Sequence, residues 1–219
     1  MDAVIFDMDG VVVDSERYWV PMQNEHLLPR TTGVDVASAD EITGMASDDI
    51  YRYLDAEYGT QVTESEFLAL FDDLAVRVYG EKVALIDGFE SLVGALRERG
   101  SGIGLASSAR TDWIGIVLER FDIRDEFDVV VSAEDIAEEG KPKPGIYLHT
   151  IRSLSVLPED CVVVEDSSPG VRAAKAAETY CIGFENSSAG NQDLSAADTT
   201  VRNPAELRTR LLSSCSSQS

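Results

Sequence analysis

Two aspartates one residue apart, Asp7 and Asp9, follow the apolar run Val4-Ile5-Phe6 and precede Gly10. A carboxylate can serve as nucleophile, as general acid or base, and as a hard oxygen ligand for a divalent cation. If the apolar run is a buried parallel strand, side chains at i and i+2 leave its carboxyl end on the same side. That side is the crevice where open α/β sheets bind ligands. Such a pair is suited to phosphoryl transfer, with Asp7 as nucleophile and Asp9 protonating the leaving oxygen before deprotonating the attacking water.

The other groups this chemistry requires are expected at the ends of later strands. Ser107 lies in Leu105-Ala106-Ser107-Ser108, Lys141 in Gly140-Lys141-Pro142-Lys143-Pro144, and Glu165-Asp166 after Val162-Val163-Val164. Ser107 can donate to a phosphoryl oxygen, and backbone N–H groups at the next helix start can add to it. Lys141 supplies fixed positive charge. Magnesium would suit Asp7, the backbone carbonyl of Asp9, and one or both of Glu165 and Asp166, since it takes hard oxygen ligands. Each part alone has a plainer reading: Asp9-Gly10 as a turn, Ser107-Ser108 as a helix cap, Glu165-Asp166 as acids at a helix start, Lys141 as a solvated charge. Their coincidence at successive strand ends argues for a site. A calcium loop of the EF-hand kind is excluded, because no helix precedes Asp7 and the acidic spacing is wrong.

These side chains need a sheet to carry them. Beyond the first strand, the spacing predicts strands at Gly102–Ala106, Phe127–Val131, Cys161–Val164 and Tyr180–Gly183. Helices are predicted at Gly88–Arg99, Thr111–Phe121, Gly145–Leu154, Pro169–Ala177 and Pro204–Leu212. Strands alternating with helices imply a doubly wound parallel α/β sheet of Rossmann-like kind. Residues 15–83 read instead as helical, with Leu54, Phe67, Leu70, Phe71, Leu74 and Val78 at spacings of three and four. The expected organisation is therefore a discontinuous core, 1–14 with 84–219, and a small helical cap over 15–83. The Ser-rich tail from Ser213 is expected to be disordered.

The chain has 219 residues, with 40 Asp and Glu against 18 Lys and Arg, for a net charge of -22. Such a surface repels nucleic acid and anionic membranes. It also fits a high-salt habitat, where screening relieves self-repulsion. The cysteines Cys161, Cys181 and Cys215 form no C-x-x-C pair, and no stretch approaches the length of a membrane span, so a cytoplasmic protein is expected. His26 and His149 have no partner motif. Trp19 and Tyr18 could line a substrate crevice or pack the helical segment.

Taken together, D-x-D-G-V, the serine after the second core strand, G-K-P-x-P and E-D-S resemble the four motifs of the haloacid dehalogenase-like superfamily. The helical insertion after the first motif resembles its branch of β-phosphoglucomutase-like and phosphoglycolate-phosphatase-like hydrolases. The resemblance implies Asp7 as nucleophile and Asp9 as general acid and base. It implies Ser107, Ser108, Lys141 and Gly44 as substrate or phosphate contacts, with Asp7, Asp9, Glu165 and Asp166 around magnesium. The second acid, Asp9, argues for a phosphorylated substrate, since a halide leaves without a proton. Schiff-base phosphonate chemistry is not expected, because the cap before Lys82 holds no lysine. Trp19 and Ser47 stand where β-phosphoglucomutases carry a histidine and an arginine, which argues against mutase activity, although Arg17 or Arg52 could substitute. The expectation is a monomeric, magnesium-dependent phosphatase of small phosphorylated metabolites, with a hexose phosphate isomerase as the alternative.

Overall fold

The four residues Ala3–Phe6 (β1) are fully buried, and their alternation divides them between two faces of one sheet. Ala3 and Ile5 pack with Ile146, Tyr147 and Val163, whereas Phe6 meets Phe89 edge to face at 5.4 Å. A strand buried on both faces is the mark of a parallel sheet covered by helices. The computed structural model describes residues 1–32, 42, 47–137, 139–185 and 192–213.

The further strands are β2 (Gly102–Ser107), β3 (Val129–Ser132), β4 (Cys161–Glu165), β5 (Tyr180–Phe184) and β6 (Thr199–Val201). They form one sheet in the order β3-β2-β1-β4-β5-β6, and every pairing is parallel. The helices that follow the insertion are α5 (Phe89–Arg97), α6 (Thr111–Arg120), α7 (Gly145–Leu154), α8 (Ser168–Ala176) and α9 (Pro204–Ser213). α7 packs on β1, β2 and β3 and touches α8, while α5 packs on β2 and touches α9. This is the doubly wound Rossmann-like α/β architecture that the alternation predicts.

Two differences from the sequence-based expectation have simple causes. β6 is not among the expected strands, because Thr199-Thr200-Val201 is too short to show a pattern and owes its conformation to pairing with β5. Ser213 is not part of a disordered tail: it is the last residue of α9, and its hydroxyl donates to Thr209 O at 2.5 Å. Residues 214–219 lie outside those described.

The chain divides into two compact units, Met1–Asp14 with Ala84–Ser219, and Ser15–Val83. In the second, α1 (Glu16–Met22) runs through a π-helical turn at Gln23–Leu27 into α2 (Leu28–Thr31), followed by α3 (Ser47–Tyr58) and α4 (Glu64–Arg77). A capping box starts α4: the Thr63 hydroxyl accepts from Glu66 N, and Glu66 accepts from Thr63 N. Leu54, Phe67, Phe71, Leu74 and Val78 are buried as the spacing implies, while Leu70 is half-buried.

Candidate active site

Register brings the site together. Phe6 pairs with Leu105 on β2 and Val164 on β4, so the next residues, Asp7, Ala106 and Glu165, emerge side by side at the carboxyl ends of the three central strands. Asp7 N donates to Val164 O at 3.1 Å, which extends the ladder by one step. The chain then closes a tight loop, with Val12 N and Val13 N both donating to Met8 O and Gly10 N to Val13 O.

Lys141 is not at a strand end, contrary to expectation: β3 stops at Ser132, and the lysine enters from the segment just before α7 and reaches in between these strand ends. Its Nζ donates to Asp7 Oδ1 at 2.5 Å, to Glu165 Oε1 at 2.6 Å and to Ala106 O at 3.3 Å. All three side chains are nearly sealed from solvent, with side-chain exposures of 6% for Lys141, 10% for Asp7 and 0% for Glu165. Burying such charges is costly unless they are paired. Removing one partner of a buried pair typically costs about 3–5 kcal/mol.

Burial pushes the Asp7 carboxyl up, to about 8; Lys141 works against this, and the neighbouring Glu165 and Asp9 carboxylates work with it. Burial alone would lower the Lys141 ammonium, yet Asp7 and Glu165 hold it above the ordinary lysine value. The two tendencies conflict over the charge on Asp7. A short, charge-assisted contact to a firmly protonated ammonium favours the ionised carboxylate. Asp7 is thus a carboxylate under strong local tension: desolvated, crowded by other acids, and held by one cation.

Glu165 is fully engaged by protein. Oε1 accepts from Lys141 Nζ and from Tyr147 Oη at 2.6 Å, and Oε2 accepts from Ser167 N at 3.1 Å and Ser167 Oγ at 2.9 Å. Four bonds match the acceptor capacity of a carboxylate. Burial raises the Glu165 carboxyl, but Lys141 and these bonds outweigh it, and the group is held below its ordinary value.

One ligand atom from each of Asp7, Glu165 and Asp166 lies within 4.8 Å of the others, and all three residues are buried. The hard oxygen donors fit a divalent cation of the magnesium class, and Asp7 and Asp166 are the better placed, given the engagement of Glu165. Gly10 makes room for this: its φ is +75°, and a Cβ there would collide with Asp166 Oδ2. Asp9 is half-buried two residues beyond Asp7 and close enough to act on its charge.

At the end of β2, Ser107 is buried, and its Oγ accepts from Ala109 N at 3.0 Å. The loop it opens is fastened by Ser132 Oγ donating to Ala109 O at 2.7 Å and by Thr111 N donating to Glu134 Oε2 at 2.9 Å. Ser108 is exposed. Gly44 lies outside the described residues. Arg110 makes a forked contact with Asp112, and Arg52 an exposed ion pair with Asp49 at 2.7 Å.

Sequence reasoning missed Tyr147 and Gly170, and it named Ser167 only as the last residue of E-D-S, without a role. Tyr147 shares the buried face of α7 with Ile146 and Ile151, so its spacing reads as core. The available signal was its hydroxyl, which needs a partner once buried. Ser167 caps α8, its Oγ accepting from Gly170 N at 3.1 Å, and a Cβ at Gly170 would overlap the Glu165 carboxylate.

The sequence model of the haloacid dehalogenase-like hydrolase family matches residues 4–184. The chain belongs to that family. Hexitol phosphatase B of Escherichia coli (strain K12) is 33% identical over 184 residues, 82% of each chain. Beta-phosphoglucomutase of Bacillus subtilis (strain 168) is 29% identical over 223 residues, 97% of this chain and 94% of that one. A family hydrolase from Deinococcus radiodurans R1, solved with bound phosphate and sodium, superposes with a TM-score of 0.70 at 26% identity, covering 97% of this chain and 96% of that one. Within this haloacid dehalogenase-like hydrolase, no helix of the described residues is long and apolar enough to cross a membrane.

Proposed function

We propose that the chain is a magnesium-dependent phosphatase that cleaves a small phosphomonoester, of the sugar phosphate or phosphoglycolate kind, through a phospho-Asp7 intermediate. One observation carries the reading: Asp7 sits 2.5 Å from the buried Lys141 ammonium, inside a cluster of three buried carboxylates at the ends of β1 and β4. Asp7 Oδ attacks phosphorus opposite the ester oxygen, the ester P–O bond breaks, and Asp9 gives its proton to the leaving alkoxide. The Asp9 carboxylate then takes a proton from water, which attacks the same phosphorus and releases phosphate and free Asp7. Ser107, whose Oγ already accepts from Ala109, turns its hydrogen toward a phosphoryl oxygen. Asp7, Asp166 and the Asp9 carbonyl would hold the magnesium, which when bound neutralises charge on the phosphoryl oxygens.

We assign Ser15–Val83 the part of a cap that excludes water and selects the leaving group, a role its insertion after β1 supports. The mutase alternative is not favoured. Trp19, where the family resemblance places a mutase histidine, stacks on Phe71 at 5.5 Å and meets Tyr79 edge-on at 5.6 Å, a packing role. Hexitol phosphatase B supports the sugar phosphate class. The net charge of -22 supports work at high salt, and the free, buried thiols of Cys161 and Cys181 support a reducing, cytoplasmic setting.

The test is phosphate release from a panel of esters with magnesium, at low and at multimolar salt. The wild type should turn over sugar phosphates, faster in high salt, and Asp7→Asn should lose about three orders of magnitude or more. Phosphate release by D7N at the wild-type rate would overturn the reading.

A further inference from the structure

Tyr147 is fully buried on α7, yet it makes two contacts with the charged cluster. Its hydroxyl donates to Glu165 Oε1 at 2.6 Å, the same oxygen that receives Lys141 Nζ, and the Lys141 ammonium stands 5.2 Å from the centre of its ring. An ionised carboxylate oxygen only accepts, so in this short contact the hydroxyl is the donor. We propose that Tyr147 is a positioning residue for the reaction: hydroxyl and ring together fix Glu165 and, through it, the Lys141 ammonium against Asp7.

The geometry explains why a phenol is used. With Ser167 bound at Oε2 and Lys141 at Oε1, the carboxylate has one acceptor position left at Oε1, in a place closed to water. A phenylalanine would fill the volume and preserve the ring face toward the ammonium, but it would leave that position unsatisfied and free Glu165 to turn. Lys141 would then lose its second anchor. The inference rests on the assignment of Asp7 and Lys141 to phosphoryl transfer.

The experiment is a double-variant cycle in the magnesium-supplemented phosphatase assay, using Tyr147→Phe, Glu165→Met and the pair, with D7N alongside. Y147F should lower kcat about ten-fold with KM within about two-fold of wild type. In the E165M background the same substitution should cost nothing further, because Tyr147 acts through Glu165 and the thioether offers its hydroxyl only a weak acceptor. A general packing role would give independent losses instead. Wild-type kcat in Y147F, or a further ten-fold fall from E165M to Y147F/E165M, overturns the proposal. If Y147F fails to fold, E165M against Y147F/E165M makes the comparison alone, since the thioether leaves no buried carboxylate unpaired. A D7N variant that stays active would defeat the phosphoryl-transfer reading itself, separately from the outcome of the cycle.

Discussion

The two units bury polar groups very differently. Among the described residues the buried carboxylates are Asp7, Glu165 and Asp166, all in the α/β unit and all at the ends of β1 and β4. The helical unit buries neutral polar groups such as Gln23, Thr31 and Thr32, and its interior is built on ring contacts: Trp19 with Phe71 and Tyr79, and Phe67 with Tyr51 and Phe71. Thr31 and Thr32 are satisfied locally, each donating to Leu28 O. Desolvated like charges destabilise a fold, so their clustering at one strand-end rim marks a candidate site for chemistry. The contrast fits the proposed division of labour, with the reactive groups at the sheet's rim and the helical unit contributing shape.

Substitutions in the two units should therefore fail in different ways. The largest effect is expected at Gly10→Ala, where a Cβ collides with the Asp166 carboxylate and the backbone must keep φ +75°. Catalysis should fall by about 10³-fold, and magnesium, expected to raise the thermal midpoint of the wild type, should leave that of G10A unchanged. Near-normal turnover in G10A would mean that Asp166 is free to sit elsewhere. A smaller and different effect is expected at Phe67→Ala in the helical unit, fully buried between Tyr51 and Phe71. Denaturant unfolding should show a loss of about 3–5 kcal/mol, with magnesium still raising the thermal midpoint. A magnesium response lost in F67A would break the division between the units.

How much of this was legible in the sequence follows the same division. The rim could be read because each strand ends as it leaves the apolar interior, so a run such as Val162-Val163-Val164 followed by Glu165-Asp166 marks both the strand and the place where its acids emerge. The start of α7 at Gly145 and of α6 at Thr111 fell where the change of pattern placed them. β6 could not be read, since its conformation comes from β5 rather than from its own residues. The finer distinction between Glu165 and Asp166 was also hidden: adjacent acids look alike in a sequence, and their environments separate them. Glu165 turns inward to Lys141, Tyr147 and Ser167, while Asp166 lies against the bare backbone of Gly10. In the helical unit, aromatic packing holds Trp19 and Phe71 without naming a substrate, because ring contacts carry little chemical specificity.

The central claim is that Asp7 forms a covalent bond to phosphorus. The most direct measurement is to mix enzyme, magnesium and a turnover-competent phosphate ester, quench in acid within one turnover, and map phosphoryl mass onto peptides by mass spectrometry. The account predicts one phosphoryl group on the peptide carrying Asp7, absent from D7N. Phosphate release without any phosphorylated Asp7 peptide, or with the group on Ser107 instead, would contradict it.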